Sequence, residues 1–243
     1  MGDYTMKIKT TEAIATMLDM QQFKFEAINN VHKKDNIKAI KQCLDLCKVV
    51  CLEDRLYYRA RNIFPDSKGI VFCEGVPQNG YNEKDSGVAP IDYCNYGRAN
   101  DKYEQVLYIS EDAETTIKEV RTKVGYYVSV ATCKFEGLIK VFDFSPYSEK
   151  QLSEYISSSS LSKNQEGKSL IYMYMEIQRI LTLPEYSENE YIVSRDLVRI
   201  IKEQYPDISG IIYSSQFTGR KNIAVWDENK FVRFTEGKIV LLK

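Results

Sequence analysis

The chain has 243 residues, with 33 lysines and arginines against 34 aspartates and glutamates, and a formal net charge of −1. A chain of this length can bury a substantial core, so its stability requires neither a disulfide nor a metal. The balanced charge argues against a nucleic-acid-binding protein, which usually carries a basic excess, and no stretch approaches the roughly 20 apolar residues that span a bilayer. The sequence therefore predicts a cytoplasmic protein with no direct nucleic-acid or membrane partner.

The cysteines and the single histidine limit the chemistry that the chain can carry. Cys43, Cys47 and Cys51 are spaced by four, which is typical of one face of a helix, whereas zinc sites usually need closer cysteine pairs or supporting histidines. His32 is the only histidine, so a Ser-His-Asp hydrolase would have to use it, and it lies in a polar stretch. Since the first ten residues show no secretory signal, we expect reduced thiols packed in the core and a site without a metal.

The first 52 residues predict an N-terminal helical extension. Apolar residues recur there at helical spacing on either side of a polar break near residues 33–36, in two stripes: Ile14, Met17 and Leu18, then Ile37, Ile40, Leu44, Cys47 and Cys51. Such stripes are too apolar to remain in water, so we expect them to pack against the rest of the chain or against a second copy. The predicted units are therefore residues 1–52 and residues 53–243.

A short strand and a long loop follow the extension. From Arg55 the apolar period changes to two, which places Arg59 and Arg61 on the same face of a strand. Residues 65–100 then hold five of the 12 glycines and three of the six prolines, which predicts mostly loop. Because connections this long are uncommon in compact domains unless they are functional, the loop is a candidate part of a site.

The remainder of the chain alternates strands with helices. We predict a strand at 106–109 and then a helix that Ser110 or Asp112 caps, with Ala113, Ile117 and Val120 as its buried stripe. Further strands are predicted at 126–135, 138–144, 210–213 and 222–226, helices at about 168–182 and 194–205, and a C-terminal hairpin from 231–234 and 239–242. The irregular alternation indicates an α+β fold with a mixed or antiparallel sheet.

Four segments in order suggest a family. They are Leu56-Tyr57-Tyr58-Arg59-Ala60-Arg61, then Gly97-Arg98-Ala99-Asn100, then Val106-Leu107-Tyr108 with Thr115 to Arg121, and finally Gly210 to Ser215 with Asn222. Together they resemble the RES family, the Arg-Glu-Ser domain of bacterial toxin–antitoxin systems, over residues 55–227. The resemblance implies an ADP-ribosyltransferase-like split sheet and an enzyme that consumes NAD by phosphorolysis, by hydrolysis or by transfer of ADP-ribose to a protein.

The residues of these segments suit that chemistry. The pyrophosphate of NAD needs permanently charged bidentate donors, for which Arg59 is the best candidate and Arg98 the second. Cleavage of the nicotinamide–ribose bond develops positive charge on the sugar, which the Glu119 carboxylate would stabilise. Tyr108 would stack on nicotinamide or hydrogen-bond the ribose. The resemblance implies as further NAD-binding residues Tyr58, Asn100, Ser215 and Asn222. Of all these, we predict that Arg59, Tyr108, Glu119 and Ser215 converge on one cleft.

The sequence departs from the family pattern at two places. Ala99 and Asp101 stand where the family often has an aromatic residue and a proline, and Arg220 and Lys221 stand where glycines precede the last asparagine. The extra basic residues would favour a phosphate-bearing or acidic partner. Candidate partners are an antitoxin protein and a second copy of the chain, and inorganic phosphate is a candidate co-substrate.

Two other functions compete with NAD degradation. A protein-modifying ADP-ribosyltransferase of the Arg-Ser-Glu type would need a Glu-x-Glu motif after its serine strand, but Glu188-Asn189-Glu190 precedes Ser214. A catalytically inactive NAD-fold binding module would need neither Arg59 nor Glu119. We therefore expect an NAD-degrading enzyme, with phosphate, water and a protein side chain all open as acceptors.

Overall fold

A nine-stranded mixed sheet runs through the part of the chain that the computed structural model describes, which comprises residues 40–41, 44–45, 47–52, 54–145, 174–175, 177–182, 192–226 and 231–242. The strands of this sheet are β1 (Lys48–Cys51), β2 (Tyr57–Ile63), β5 (Leu107–Ser110), β6 (Tyr127–Phe135), β7 (Lys140–Asp143), β8 (Gly210–Ser214), β9 (Lys221–Val225), β10 (Phe231–Phe234) and β11 (Lys238–Leu241). A separate hairpin consists of β3 (Phe72–Cys73) and β4 (Val76–Pro77). The helices whose bounds lie within the described residues are α1 (Glu83–Ser86), α2 (Ala113–Glu119), α3 (Ile192–Gln204) and a 3₁₀ turn (Ile91–Tyr93).

The strand order is β1-β7-β8-β9-β5-β2-β6-β10, with β11 also on β6. Only the β7–β8 pair is parallel among the described strands, and every other pair is antiparallel. The predicted α+β class with a mixed sheet is confirmed. None of the described helices is long and apolar enough to cross a bilayer.

The sheet is split between β2 and β5. These strands pair only at Tyr58 and Ser110, whereas β2 pairs with β6 along its whole length. Beyond that point the Ala60 amide donates to the Thr116 hydroxyl of α2 at 2.9 Å instead of to a strand. Helix α2 thus satisfies the backbone where β5 diverges, because a buried amide must find an acceptor somewhere. The split leaves space beside α2.

Both faces of the sheet are covered by apolar side chains. Leu197, Val198 and Ile201 of α3 are buried in one cluster with Ile211 of β8, and Ile212 faces a second cluster on the other side. The helical residues 174–175 and 177–182 contribute to the first cluster. Neighbouring residues of β8 point to opposite faces, as the strand period requires. The central strands are therefore buried on both sides, which fixes their register.

Two predicted elements are wrong. The helix predicted to continue to residue 52 gives way to β1 at Lys48, because this segment pairs with the edge of β7, and Cys51 is exposed rather than buried on a helical stripe. The C-terminal hairpin is absent: β10 and β11 both pair with β6, as one interrupted strand along the nine residues of that partner. Some predicted features lie outside the described residues: most of the N-terminal extension with His32, residues 168–173 of a predicted helix, and the Glu188-Asn189-Glu190 motif.

Candidate active site

A cavity of about 420 Å³ opens at the split between β2 and β5. Its walls come from β2, the loop after the 3₁₀ turn, β5, the end of α2, β8 and β9. The predicted site residues that line it are Arg59, Arg98, Tyr108, Glu119 and Asn222. A volume of this size lies within the range of small-molecule sites, roughly 300–1,000 Å³. Residues far apart in sequence thus meet in one concave site.

The Glu119 carboxylate is held in a fixed orientation. Its Oε1 accepts a hydrogen bond of 2.6 Å from the Ser215 hydroxyl and one of 2.7 Å from the Asn222 amide. The Asn222 carbonyl in turn accepts from the Ser110 hydroxyl at 2.7 Å. Ser110, Ser215 and Asn222 are all buried. Within the described residues Oε2 has no hydrogen-bond partner, so one oxygen is anchored and the other is left for a ligand.

The position of Glu119 follows from where α2 begins and ends. The Asp112 side chain caps the helix by accepting from the Thr115 amide at 2.9 Å, and Glu119 is the last residue of the helix. The predicted stripe of Ala113, Ile117 and Val120 packs against the apolar cluster around β2 and β6. These contacts present Glu119 to the cavity, on the side where β9 supplies Asn222.

Arg59 places a half-buried positive charge in the same cavity. Its Nη1 is inaccessible to solvent and has no hydrogen-bond partner among the described residues. Burial, together with the nearby charge of Arg61, lowers the pKa of Arg59 to about 10, so the guanidinium is still protonated at neutral pH. An unpaired buried cation is costly, and native proteins normally supply it with an anion or a ligand. The cavity thus contains a site where an anion is expected.

Tyr108 supports the wall that carries Gly97 and Arg98. Its hydroxyl accepts from the Ala99 amide at 2.9 Å and donates to the Asn100 carbonyl oxygen at 2.7 Å. A Cβ on Gly97 would lie 2.6 Å from that hydroxyl, so the close approach requires glycine. The hydroxyl proton is therefore already donated within the chain. Of the two roles predicted for Tyr108, stacking through the ring does not require the hydroxyl, and Tyr108 lines the cavity.

The other predicted residues lie in different places. The Nη1 of Arg98 donates to the Ile180 carbonyl at 2.9 Å, and its guanidinium lies 5.1 Å from the centre of the Tyr213 ring. Asn100 does not line the cavity, but its amide donates to the carbonyls of Asn95 and Asp101, which shapes the loop. Tyr58 packs against the apolar cluster around β2 and β6 and does not line the cavity.

Several residues that line the cavity were not predicted from the sequence. Ser110 lies two residues after Tyr108 on β5, so the period of two would have placed both side chains on one face. Arg121 lies just beyond α2 with a φ of +50°, and its guanidinium lies 5.6 Å from the centre of the Phe217 ring. No sequence signal marks a residue in this backbone conformation. Thr116 and Tyr213 complete the wall through their contacts with Ala60 and Arg98.

The three arginines of the cavity favour an anionic ligand. The single carboxylate would stabilise a part of that ligand that becomes positively charged. Three arginines and one glutamate line the cavity, so cations surround the single carboxylate. A carboxylate anchored by two neutral donors can stabilise an adjacent cation without reorganising, because its hydrogen bonds are already made. Among the described residues there is no cluster of His, Cys, Asp or Glu side chains that could hold a metal ion.

Comparisons with known proteins identify the family of the chain. A family model described as RES domain matches residues 79–239, which is 161 of the 243 residues and includes Arg98, Tyr108, Glu119, Ser215 and Asn222. No curated protein matches the chain. Among solved structures, a chain from the crystal structure of the M. tuberculosis MbcT-MbcA toxin–antitoxin complex is similar at 11% identity and a TM-score of 0.44, over 85% of this chain and 93% of that chain. On the family model, the chain belongs to the RES domain family.

Proposed function

We propose that the protein degrades NAD by cleaving its nicotinamide–ribose bond, and that it acts as a bacterial toxin that depletes cellular NAD. The observation that carries the proposal is the anchored Glu119 carboxylate in the same cavity as the unpaired guanidinium of Arg59. NAD has a matching group for each residue. Its pyrophosphate would bind the Arg59 guanidinium, and its ribose, which becomes cationic when nicotinamide leaves, would lie beside the Glu119 carboxylate. Membership of the RES family supports the same assignment.

The bond changes define the role of Glu119. When the C1′–N bond breaks, its electron pair leaves with nicotinamide, and the ribose becomes an oxocarbenium-like cation. The carboxylate of Glu119 stabilises that charge, and a nucleophile then forms a new bond to C1′. The nucleophile is phosphate in a phosphorylase, water in a glycohydrolase, and a protein side chain in an ADP-ribosyltransferase. Because the charge exists only near the transition state, Glu119 acts on the rate more than on binding.

The arginines act on binding and orientation. Arg59 and Arg98 line the cavity with cationic groups, and a guanidinium binds phosphate oxygens through two parallel donors. A pyrophosphate held in this way fixes the ribose relative to Glu119, and correct placement alone can lower a barrier by several kcal/mol, roughly 7–11 in the best-oriented cases. Tyr108 and Ser215 support this arrangement through the loop and through Glu119.

The biological context is part of the same proposal. An antitoxin protein would keep such an enzyme inactive, and residues 1–52 would pack against residues 53–243 or against a second copy of the chain. A cytoplasmic location would place the enzyme where its substrate is.

The direct test compares NAD turnover in the wild type, Glu119→Gln and Arg59→Ala, with and without inorganic phosphate. Glu119→Gln should bind NAD within a few fold of the wild type and release nicotinamide roughly 100-fold more slowly or worse, the scale for loss of one preorganised electrostatic group. Arg59→Ala should bind NAD more weakly, because the pyrophosphate contact exists before the reaction as well. Calorimetry and a nicotinamide-release assay give the two quantities separately.

Product analysis identifies the acceptor. ADP-ribose phosphate formed only when phosphate is present indicates a phosphorylase, and free ADP-ribose in both conditions indicates a glycohydrolase. ADP-ribose attached to a protein, read as an added mass, indicates a transferase. NAD binding without nicotinamide release in the wild type would instead support an inactive binding module and would contradict the proposal.

A further inference from the structure

A second cavity, of about 240 Å³, adjoins the one that contains Glu119. Arg121 lines both cavities, so they meet at the end of α2. Along β2 the first cavity contacts Arg59 and Ala60, and the second begins at Asn62. Three residues of a strand span about 10 Å, so the two cavities lie side by side at molecular distance. We name the second one the Phe64–Tyr126 cavity, after the aromatic residues in its wall.

The aromatic residues of this cavity are open to a ligand. Phe64 follows the end of β2 and Tyr126 precedes the start of β6, and the last paired residues of these strands are Ile63 and Tyr127. Phe64 and Tyr126 therefore lie opposite each other, one position beyond the last residue pair of the two strands. Their residues are 50% and 49% exposed, although both are large and apolar. Two exposed rings in the wall of one cavity are suited to stacking with a flat aromatic group.

The polar side chains of the Phe64–Tyr126 cavity are the hydrogen-bonded Asn62 and Thr122 and the two cations Arg121 and Lys123. The Asn62 amide donates to the Val120 carbonyl at 3.3 Å, and its carbonyl oxygen accepts from the Thr122 hydroxyl. These groups stabilise the wall itself. Arg121 and Lys123 add two positive charges, and no carboxylate lines this cavity. Its charge therefore matches that of a phosphate next to the flat group.

The backbone at Arg121 determines where its side chain lies. A φ of +50° is uncommon for a residue other than glycine, asparagine or aspartate, and it costs free energy. This conformation ends α2 and leaves the Arg121 side chain in the walls of both cavities. A residue in the left-handed region directly after a helix is a common helix end, and here it brings Arg121 between the two cavities.

We propose that the Phe64–Tyr126 cavity is the subsite for the adenylate half of the dinucleotide, in which adenine stacks on Phe64 and Tyr126 while Arg121 and Lys123 contact its phosphate. The proposal rests on the proposed function, since it extends the substrate from Glu119 towards Arg121. The nicotinamide half then occupies the first cavity, and the phosphates lie between Arg59 and Arg121. The ligand chemistry is that of a purine nucleotide, which either NAD or a free nucleotide could supply.

The test measures the binding of NAD, AMP and nicotinamide mononucleotide by calorimetry in the wild type and in four variants. Phe64→Ala and Tyr126→Ala should each weaken NAD and AMP binding about 10-fold, because a stacked base typically depends on its aromatic partner to that degree. Binding of nicotinamide mononucleotide, which lacks the adenylate, should not change. Tyr126→Phe should retain NAD affinity because the ring remains. Tyr93→Ala, which truncates a 69% exposed tyrosine outside both cavities, is the matched control.

The turnover rate at saturating NAD gives a further criterion. Since stacking of adenine is the same before and during bond cleavage, Phe64→Ala should raise KM and leave kcat close to the wild-type value. AMP should compete with NAD. Equal loss of NAD and nicotinamide mononucleotide binding, or AMP binding that does not compete with NAD, would overturn the assignment. If the wild type binds AMP through these rings but releases no nicotinamide, the proposed function fails while the nucleotide subsite stands.

Discussion

Two arginines on one face of β2 have opposite environments. The guanidinium of Arg61 donates to the Asp85 carbonyl and lies 5.2 Å from the centre of the Tyr81 ring. Arg59, two residues earlier, has a buried Nη1 without a partner among the described residues. The alternation of side chains along a strand predicts that both arginines share a face, but it does not predict which of them has partners within the chain. The structure shows that Arg61 has such partners, whereas the Nη1 of Arg59 has none among the described residues.

The first prediction is that Arg59→Met separates stability from function. Replacing this half-buried charge, whose Nη1 is buried without a partner among the described residues, by an apolar side chain of similar length removes a desolvation cost, so the free energy of unfolding should rise by up to about 1 kcal/mol and Tm by up to roughly 2–4 °C. NAD should bind more weakly, as in Arg59→Ala. Arg61→Met is the matched control. It removes the contacts of Arg61 with Asp85 and Tyr81 and should therefore lower Tm. Thermal unfolding of the two variants without NAD decides the matter, and a lower Tm for Arg59→Met would mean that the native cation has a structural partner.

The unusual basic residues before Asn222 are paired within the chain. Arg220 lies 3.1 Å from an Asp112 oxygen, and the Lys221 ammonium lies 3.0 Å from an oxygen of the buried Asp143. Carboxylates of the same chain thus match both charges that the sequence suggested for a phosphate-bearing or acidic partner. These residues contribute to the connection of β9 with α2 and β7, and neither lines the cavity.

At the scale of the element, α2 depends on the cap that Asp112 provides. The carboxylate accepts from the Thr115 amide at 2.9 Å and from the Thr115 hydroxyl at 2.7 Å. Burial by itself would raise the pKa of Asp112, but the hydrogen bonds from Thr115 and the charge of Arg220 outweigh it and lower the pKa below its ordinary value. Because the cap begins the helix that ends at Glu119, it also determines where the carboxylate of the site lies.

The second prediction concerns this cap and pH. Asp112→Ala should lower the free energy of unfolding by about 1 kcal/mol at neutral pH, whereas Asp112→Asn, which keeps an acceptor, should lose less. Since the folded-state pKa is lowered, the contribution of the carboxylate is present above the unfolded pKa of about 3.9 and is lost as pH falls through the folded value. Urea unfolding of the wild type and Asp112→Ala should therefore converge in acid. A difference that is independent of pH would contradict the role of the ionised cap.

Helix α3 holds the loop that forms one wall of the cavity. Asp101 pairs with Arg195 at 3.1 Å and with Arg199 at 3.0 Å, and Lys202 pairs with Glu104. These ion pairs lie directly after Asn100, which contacts the Tyr108 hydroxyl. The aspartate that stands in place of the usual family proline thus connects the wall to α3 by charge rather than by backbone rigidity.

The third prediction is that Asp101→Asn loosens this wall. NAD should bind a few fold more weakly while kcat changes little, because the wall orients the ground state as well as the transition state. High salt screens the ion pairs of Asp101 with Arg195 and Arg199, which the variant lacks. Salt should therefore weaken NAD binding less in the variant than in the wild type. Glu114→Gln, which breaks the exposed Glu114–Lys118 pair, is the control and should behave as the wild type. Kd and kcat at low and high salt test this, and an unchanged Kd in Asp101→Asn would contradict it.

At the scale of the whole molecule, ligand binding should join the two halves of the split sheet. The cavity walls come from β2 on one side and from β5, β8 and β9 on the other, while β2 and β5 share one pair of residues. A ligand that contacts both sides replaces the strand pairing that is missing there. Binding to the folded state alone then raises global stability by mass action.

The fourth prediction measures that coupling. In Glu119→Gln, which should bind NAD without consuming it rapidly, NAD at 100 times its Kd should add about 2.7 kcal/mol to the free energy of unfolding, or roughly 5–11 °C in Tm. The same NAD concentration should produce a much smaller shift in Arg59→Ala. Thermal shifts measured as a function of NAD concentration provide the check. Equal shifts in both variants would exclude Arg59 from the binding site.

The strands and helices with strong periodicity were predictable from the sequence. Strand β6 and helix α3 lie within about two residues of their predicted bounds, because each has a regular apolar pattern over many residues. The short segment Lys48–Cys51 was not predictable: its spacing suits a helix, and only the free edge of β7 makes it a strand. The same holds for β10 and β11, whose turn-like link resembles a hairpin although both strands extend along β6.

The sequence by itself determined the fold class and the order of the site segments, because periodicity and motif order are local properties of the chain. It predicted that Arg59, Tyr108, Glu119 and Ser215 share one cleft; the first three line the cavity, whereas Ser215 is buried behind Glu119 and does not line it. Only the tertiary structure decided how they contact their surroundings: that Ser215 and Asn222 hydrogen-bond Glu119, and that the Tyr108 hydroxyl hydrogen-bonds a loop. Hydrogen-bond partners come from strands and helices up to about a hundred residues away, and no local pattern encodes which of them meet.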